Sequence, residues 1–178
     1  LVGRAWKSIG QPGRLGILGG VALVLLAVGL ALRHEDDPIV WRLRSFVWFL
    51  STAATGGFAG VLAVDTIHWR GERAVITVAL SIAVLSAALW SGRDRPLQHT
   101  TTMAGAAVAL GALMAIWDGG GAIGAAIALY SAIWALFGAL TVLRPQYIAV
   151  PLGLAGMLIG PMLASSSFPK WAPLAGLL

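Results

Sequence analysis

Cysteine is absent from this chain, which excludes disulfides, thiolate metal sites, iron-sulfur clusters and a cysteine nucleophile together. Charge is scarce: Asp, Glu, Lys and Arg make up 11% of the 178 residues, against about a quarter in an ordinary soluble domain. A chain that is 58% hydrophobic, with a mean hydropathy of +0.86, lacks the polarity that keeps a disordered polymer solvated. H-E-x-x-H, G-x-S-x-G, Walker and dinucleotide-binding patterns are all missing, so no catalytic signature is present. No ionisable residue falls near the middle of any long apolar block, whereas ion-coupled carriers and pumps generally bury one on the translocation path.

What is present is a run of apolar blocks punctuated by clustered charge. Each block approaches the roughly 20 residues that one crossing of a hydrocarbon core requires. They lie near residues 15–32, 45–64, 74–92, 100–117, 121–143 and 147–164, the last carrying Pro151 and Pro161, which are expected to interrupt and kink it. The blocks are apolar on every face, without the period-two alternation of a membrane barrel. The expected architecture is therefore an all-α, polytopic transmembrane bundle of about six spans joined by short loops, forming a single membrane domain over residues 1–178. Leu1 in place of Met, and the apolar end from Trp171 to Leu178, suggest a piece of a longer chain.

The basic residues flank these blocks and form no long run interleaved with aromatics, so they read as headgroup and topology signals and not as a nucleic-acid footprint. The lipid bilayer is the expected partner. Trp41, Trp69, Trp90, Trp117 and Trp171 sit at or beside block ends, where an amphipathic ring prefers the headgroup level, while Trp48 and Trp134 lie deeper. The positive-inside comparison ties. Arg4, Lys7, Arg14, Arg70, Arg73 and Lys170 fall on the N-terminal side, and Arg33, Arg42, Arg44, Arg93, Arg95 and Arg144 on the other. The usual dominance of the first span leans toward a cytoplasmic N-terminus. Ten Arg against two Lys, with heavy Ala and Gly use, fits a GC-rich bacterial genome and hence the plasma membrane.

Small residues four apart share one helix face and let backbones approach closely. Candidate pairs are Gly16 with Gly20, Gly56 with Gly60, Gly120 with Gly124, and Gly156 with Gly160. These pairs serve packing within the bundle or an interface with another copy or another membrane subunit.

The polar residues that chemistry would use are Asp65, His68 and Glu72 after the second block, joined on the same side by Asp118 after the fourth. If the helix continues past Asp65, Asp65 and His68 share a face, and a carboxylate beside an imidazole handles protons or a metal. The plainer expectation is helix ends meeting water, with Asp65 paired to Arg70 or Arg73. His34, Glu35, Asp36 and Asp37 are consecutive, whereas hard-cation loops alternate their ligands, so a solvated acidic loop is expected and no metal site. Ser51, Thr52, Thr55 and the run Thr100, Thr101 and Thr102 could line a pore, but helical hydroxyls more often bond the preceding turn. Ser165, Ser166 and Ser167 read as a loop. No cofactor is indicated, since His68 and His99 fall on opposite sides and cannot share a haem.

The glycine- and leucine-rich first block after Arg14, the charged loop from Trp69 to Ala74 and the stretch Arg95, Pro96, Leu97, Gln98 resemble a broad group of uncharacterised, often actinobacterial, polytopic membrane proteins of the domain-of-unknown-function kind. That resemblance implies no established activity and carries over no functional residue. The expected role is a non-catalytic membrane subunit or scaffold. A channel or transporter with Asp65, His68 and Asp118 as its vestibule is the alternative, and an intramembrane enzyme acting on lipid is a lesser one.

Overall fold

A computed structural model describes residues 6, 8–32, 37–91, 96–118 and 122–167. Among them all regular structure is helical, with no strand, in six long elements: α1 (Gln11–Ala31), α2 (Pro38–Val61), α3 (Glu72–Trp90), α4 (Pro96–Asp118), α5 (Ile123–Ala139) and α6 (Gln146–Ser167). Five are long and apolar enough to cross a membrane, and α5 is apolar but shorter at 17 residues. This is the architecture of a multi-pass membrane protein.

Local chemistry sets the boundaries. Pro38 and Pro96 open α2 and α4, where a proline's missing N–H leaves no bond unmade. The Asp37 carboxylate caps α2 by accepting from the Ile39 N–H at 2.7 Å. Helix α2 runs on into a π-helical turn over Leu62–Thr66, so the continuous helical run reaches 29 residues. His68 then takes φ +61°, and Gly71 at φ +57° precedes Glu72, whose carboxylate sits at the positive end of α3. Helix α5 stops at Leu140. Thr141 turns left-handed at φ 64° there, while its N–H reaches the Gly138 carbonyl and that of Val142 reaches Phe137. This is a Schellman closure with threonine in the usual glycine place. The expected fifth span to Leu143 is shortened accordingly.

Helix α6 runs through Pro151 and Pro161 and includes Ser165, Ser166 and Ser167, so neither the expected interruption nor the expected serine loop is found. Tertiary contact with α5 holds it against the lost backbone donors. A Cβ at Gly153 would stand 2.6 Å from the Ala135 nitrogen, and one at Gly160 would stand 2.7 Å from the Gly124 carbonyl. Backbone lies against backbone along this pair.

The closest packing is within the hairpins α1–α2, α3–α4 and α5–α6, with α2 also against α3 and α4 against α5. Side-chain ties show the antiparallel order. Gln11 on α1 bonds Thr66 after α2 at one end. At the other, Gln98 on α4 donates to the Ser45 carbonyl on α2, and Trp90 on α3 donates to the Arg144 carbonyl before α6. The buried apolar residues are mostly small, among them Ala59, Ala63, Ala79, Ala83, Ala109 and Ala149. Lipid tails are as apolar as leucine, so such helices gain little from burying large side chains and much from close approach. Large residues such as Leu23, Val24, Val84, Leu129, Leu158 and Met162 face outward instead.

Candidate functional site

The polar residues gather in two places, one at each end of the bundle. The first is an interfacial cavity of about 500 Å³ where α1 begins and α2 ends, lined by Ser8, Ile9, Gly10, Gln11, Arg14, Val64, Asp65, His68 and Arg70. Asp65 pairs with Arg14 at 3.2 Å, both side chains partly exposed. This corrects the expected pairing with Arg70 or Arg73, because the hairpin brings the start of α1 closer than residues on the following turn. Asp65 and His68 do not share a continuous α-helical face, since the helix widens to a π turn at Leu62 and ends before His68. They line one cavity all the same. Glu72 is the first residue of α3 and is not part of the cavity wall; Asp118 is the last residue of α4.

Beside this cavity lies a second space, an open groove of about 440 Å³ walled almost wholly by apolar atoms of α2, α3 and α4. Val64 is common to both.

The second polar cluster is at the opposite end, and three of its members, Arg44, Gln98 and His99, fall outside the spans expected from the sequence. Because α2 starts at Pro38 and α4 at Pro96, Arg44, Gln98 and His99 lie within helices and are fully buried. The Trp134 indole donates to His99 Nε2 at 2.9 Å, so that nitrogen is an acceptor and the ring hydrogen sits on Nδ1. Nδ1–H then donates to the Arg144 carbonyl at 3.3 Å, which also accepts from the Trp90 indole at 2.8 Å. Trp90 and Trp134 flank the imidazole, with ring centroids 4.4 Å and 5.2 Å from it, and Tyr130 packs on Trp134. One histidine thus joins α3, α4, α5 and the turn before α6. Arg44 donates to the Leu32 carbonyl at the end of α1 and lies over the Trp48 ring. The signal available in the sequence was the prolines: each marks a helix start several residues before the first fully uncharged stretch.

Hydroxyls mark the space between these ends. Thr52, Thr55, Thr100 and Thr102 donate to carbonyls four residues back. Ser51 instead reaches the Ala22 carbonyl of α1 at 2.8 Å, and Thr101 lies both 2.7 Å from the Ser86 hydroxyl of α3 and 3.0 Å from the Leu97 carbonyl of its own helix.

The glycine pairs separate by environment. Gly56 faces Ile82 and Gly60 faces Val78 on α3, while Gly156 meets Ser131 and Gly160 meets Ala128 on α5. Gly124 is buried under α6. A Cβ at Gly16 or Gly20 would meet nothing within 4 Å. Gly120, His34, Glu35, Asp36 and Trp171 lie outside the described residues. Asp37 serves as a helix cap, and among the described residues no group of three or more metal-ligating side chains is found.

No protein family, curated protein or solved structure matches the chain.

Proposed function

We propose that this chain is a non-catalytic integral membrane subunit or scaffold of a larger assembly in a bacterial plasma membrane, with its N-terminus cytoplasmic. The observation that carries this reading is how four polar side chains inside the bundle are used. His99, Gln98, Ser51 and Thr101 each tie one helix to another. A catalytic or conducting group has to present its polar atoms to a substrate or an ion path; the bonds of these four run to neighbouring helices. Helix α1 adds a surface for assembly: it buries Ala22 and Gly29 but exposes Ile17, Val21, Leu23, Val24 and Val28 beside the open Gly16 and Gly20.

Native mass spectrometry of the protein released gently from its own membrane tests this. A defined homo-oligomer or a complex with another membrane subunit is the expected result. A strict monomer that supports robust solute flux in proteoliposomes overturns it in favour of a channel or transporter, the reading that the interfacial cavity with Asp65 and His68 favours.

A further inference from the structure

The polar interfacial cavity and the apolar groove have Val64 in common, and we infer that together they bind a single anionic phospholipid, phosphate in the cavity and one acyl chain in the groove. The inference is independent of the assembly role proposed above.

Charge comes first. The cavity wall contains Arg14, Arg70 and Asp65, so its charged side chains leave it one charge positive. The Arg14–Asp65 pair holds the carboxylate against α1. Arg70 is exposed and has no ion pair among the described residues, and His68 and Gln11 add polar groups able to bond phosphate or glycerol oxygens. Arginine presents a planar fork that matches phosphate geometry, and basic pockets between membrane helices bind anionic headgroups.

Shape comes second. Val64, in the π turn that ends α2, forms part of both walls, so the polar cavity and the apolar groove meet at that residue. On α3 the groove runs from Ala74 to Ile82. Eight residues at about 1.5 Å each make roughly 12 Å, close to the roughly 15 Å depth of one leaflet's hydrocarbon. Its volume of about 440 Å³ lies in the range of ligand sites, roughly 300–1,000 Å³. Gly60 and Ala104 leave it open, because larger side chains there would narrow it, and Gly105 lets α4 close against the α3 backbone at Ala79 and Ala83. A soluble phosphate ester would use the cavity and leave the groove idle, whereas a phospholipid uses both.

The test is lipid titration of the whole purified chain in detergent, read by native mass spectrometry with dioleoyl phosphatidylglycerol and dioleoyl phosphatidylcholine as probes. The expected result is one phosphatidylglycerol bound at least tenfold more tightly than phosphatidylcholine. Arg70→Gln should weaken phosphatidylglycerol about fivefold, the effect of one cation near a lipid surface, and leave phosphatidylcholine unchanged. Ala104→Phe, and independently Val108→Phe on the exposed side of the groove, should weaken the lipid while unfolding temperature stays near that of the parent chain. Equal affinity for the two lipids overturns the inference, as does an Arg70→Gln chain that keeps the parent's full preference for phosphatidylglycerol. Glycerol 3-phosphate that binds as tightly as the lipid and is indifferent to both groove variants also overturns it, assigning the cavity to a free phosphate ester.

Discussion

Trp134 and His99 are joined by a 2.9 Å hydrogen bond from the indole N–H to imidazole Nε2, and this bond decides which nitrogen of His99 carries its hydrogen. With Nε2 accepting, Nδ1–H faces the Arg144 carbonyl, and the ring is bonded on both sides. Nitrogen-15 NMR of the purified protein should find His99 as the Nδ1–H tautomer. Trp134→Phe keeps an aromatic ring but removes the donor, so it should release that preference and cost about 0.6 to 1.7 kcal/mol, the span measured for hydrogen bonds within membranes. A parent protein with hydrogen on Nε2 would contradict the bonding pattern directly.

Hydroxyls that cross between helices should matter more than those that fold back. Thr101 bonds the Ser86 hydroxyl of α3 as well as its own preceding turn, whereas Thr55 donates to Ser51 within its own helix. Thr101→Val should therefore destabilise the protein by about 0.6 kcal/mol, and Thr55→Val should be near neutral, because a back-bonded hydroxyl gives its helix little. Reversible unfolding in mixed micelles measures both. A larger loss at Thr55 would show that it has a partner outside its own helix.

Glycines should divide by what surrounds them. Gly153→Ala forces a methyl to within 2.6 Å of the Ala135 backbone nitrogen, which cannot move without separating α5 from α6. The expected cost is about 1 to 3 kcal/mol, typical of overpacking. Thr141→Gly works in the opposite direction. It relieves a left-handed threonine at φ 64° and should stabilise the α5 terminus by about 1 kcal/mol. Thermal unfolding in detergent should separate the two variants in opposite directions.

The spans were legible in the sequence because nothing in a bilayer core replaces the missing solvation of a charge, and so apolar blocks and helices coincide. Their ends were less so. Cutting each block at its first ionisable residue put Arg44 and His99 outside α2 and α4, although Pro38 and Pro96 start those helices and carry both residues inward. The end of α5 was hidden for a different reason: Thr141 performs a turn that sequence habit assigns to glycine, and the first visible breaker is Pro145. Asp65 and His68 were recognisable as polar residues at one helix end. The partner of Asp65 was not, because Arg14 is 51 residues away and only the α1–α2 hairpin brings it near.

That pair makes its own prediction. Arg14 and Asp65 retain 23% and 32% exposure, so water screens their attraction, and Asp65→Asn should change stability by only about 0 to 1 kcal/mol. Under the assembly reading, membrane permeability to small ions should be the same for parent and variant in proteoliposomes. A changed ion selectivity in Asp65→Asn would place this carboxylate on a conduction path and move the functional reading to a channel.

The open glycine face of α1 supplies the sharpest separation between folding and assembly. Gly16 and Gly20 have free space where a Cβ would go, so alanine at either is accommodated without clash. Alanine also gains up to about 1 kcal/mol of helix propensity over glycine. Folding energetics alone therefore favour substitution, and an oligomer contact would oppose it, since small-xxx-small faces work by letting another helix come close. Gly20→Leu is expected to leave the unfolding temperature of the isolated chain unchanged or raised, while reducing the oligomer or complex recovered by native mass spectrometry. If the assembly survives Gly16→Leu and Gly20→Leu together, this face of α1 meets lipid, and the contact has to be sought on the exposed faces of α5 and α6 around Leu129, Leu136 and Leu158.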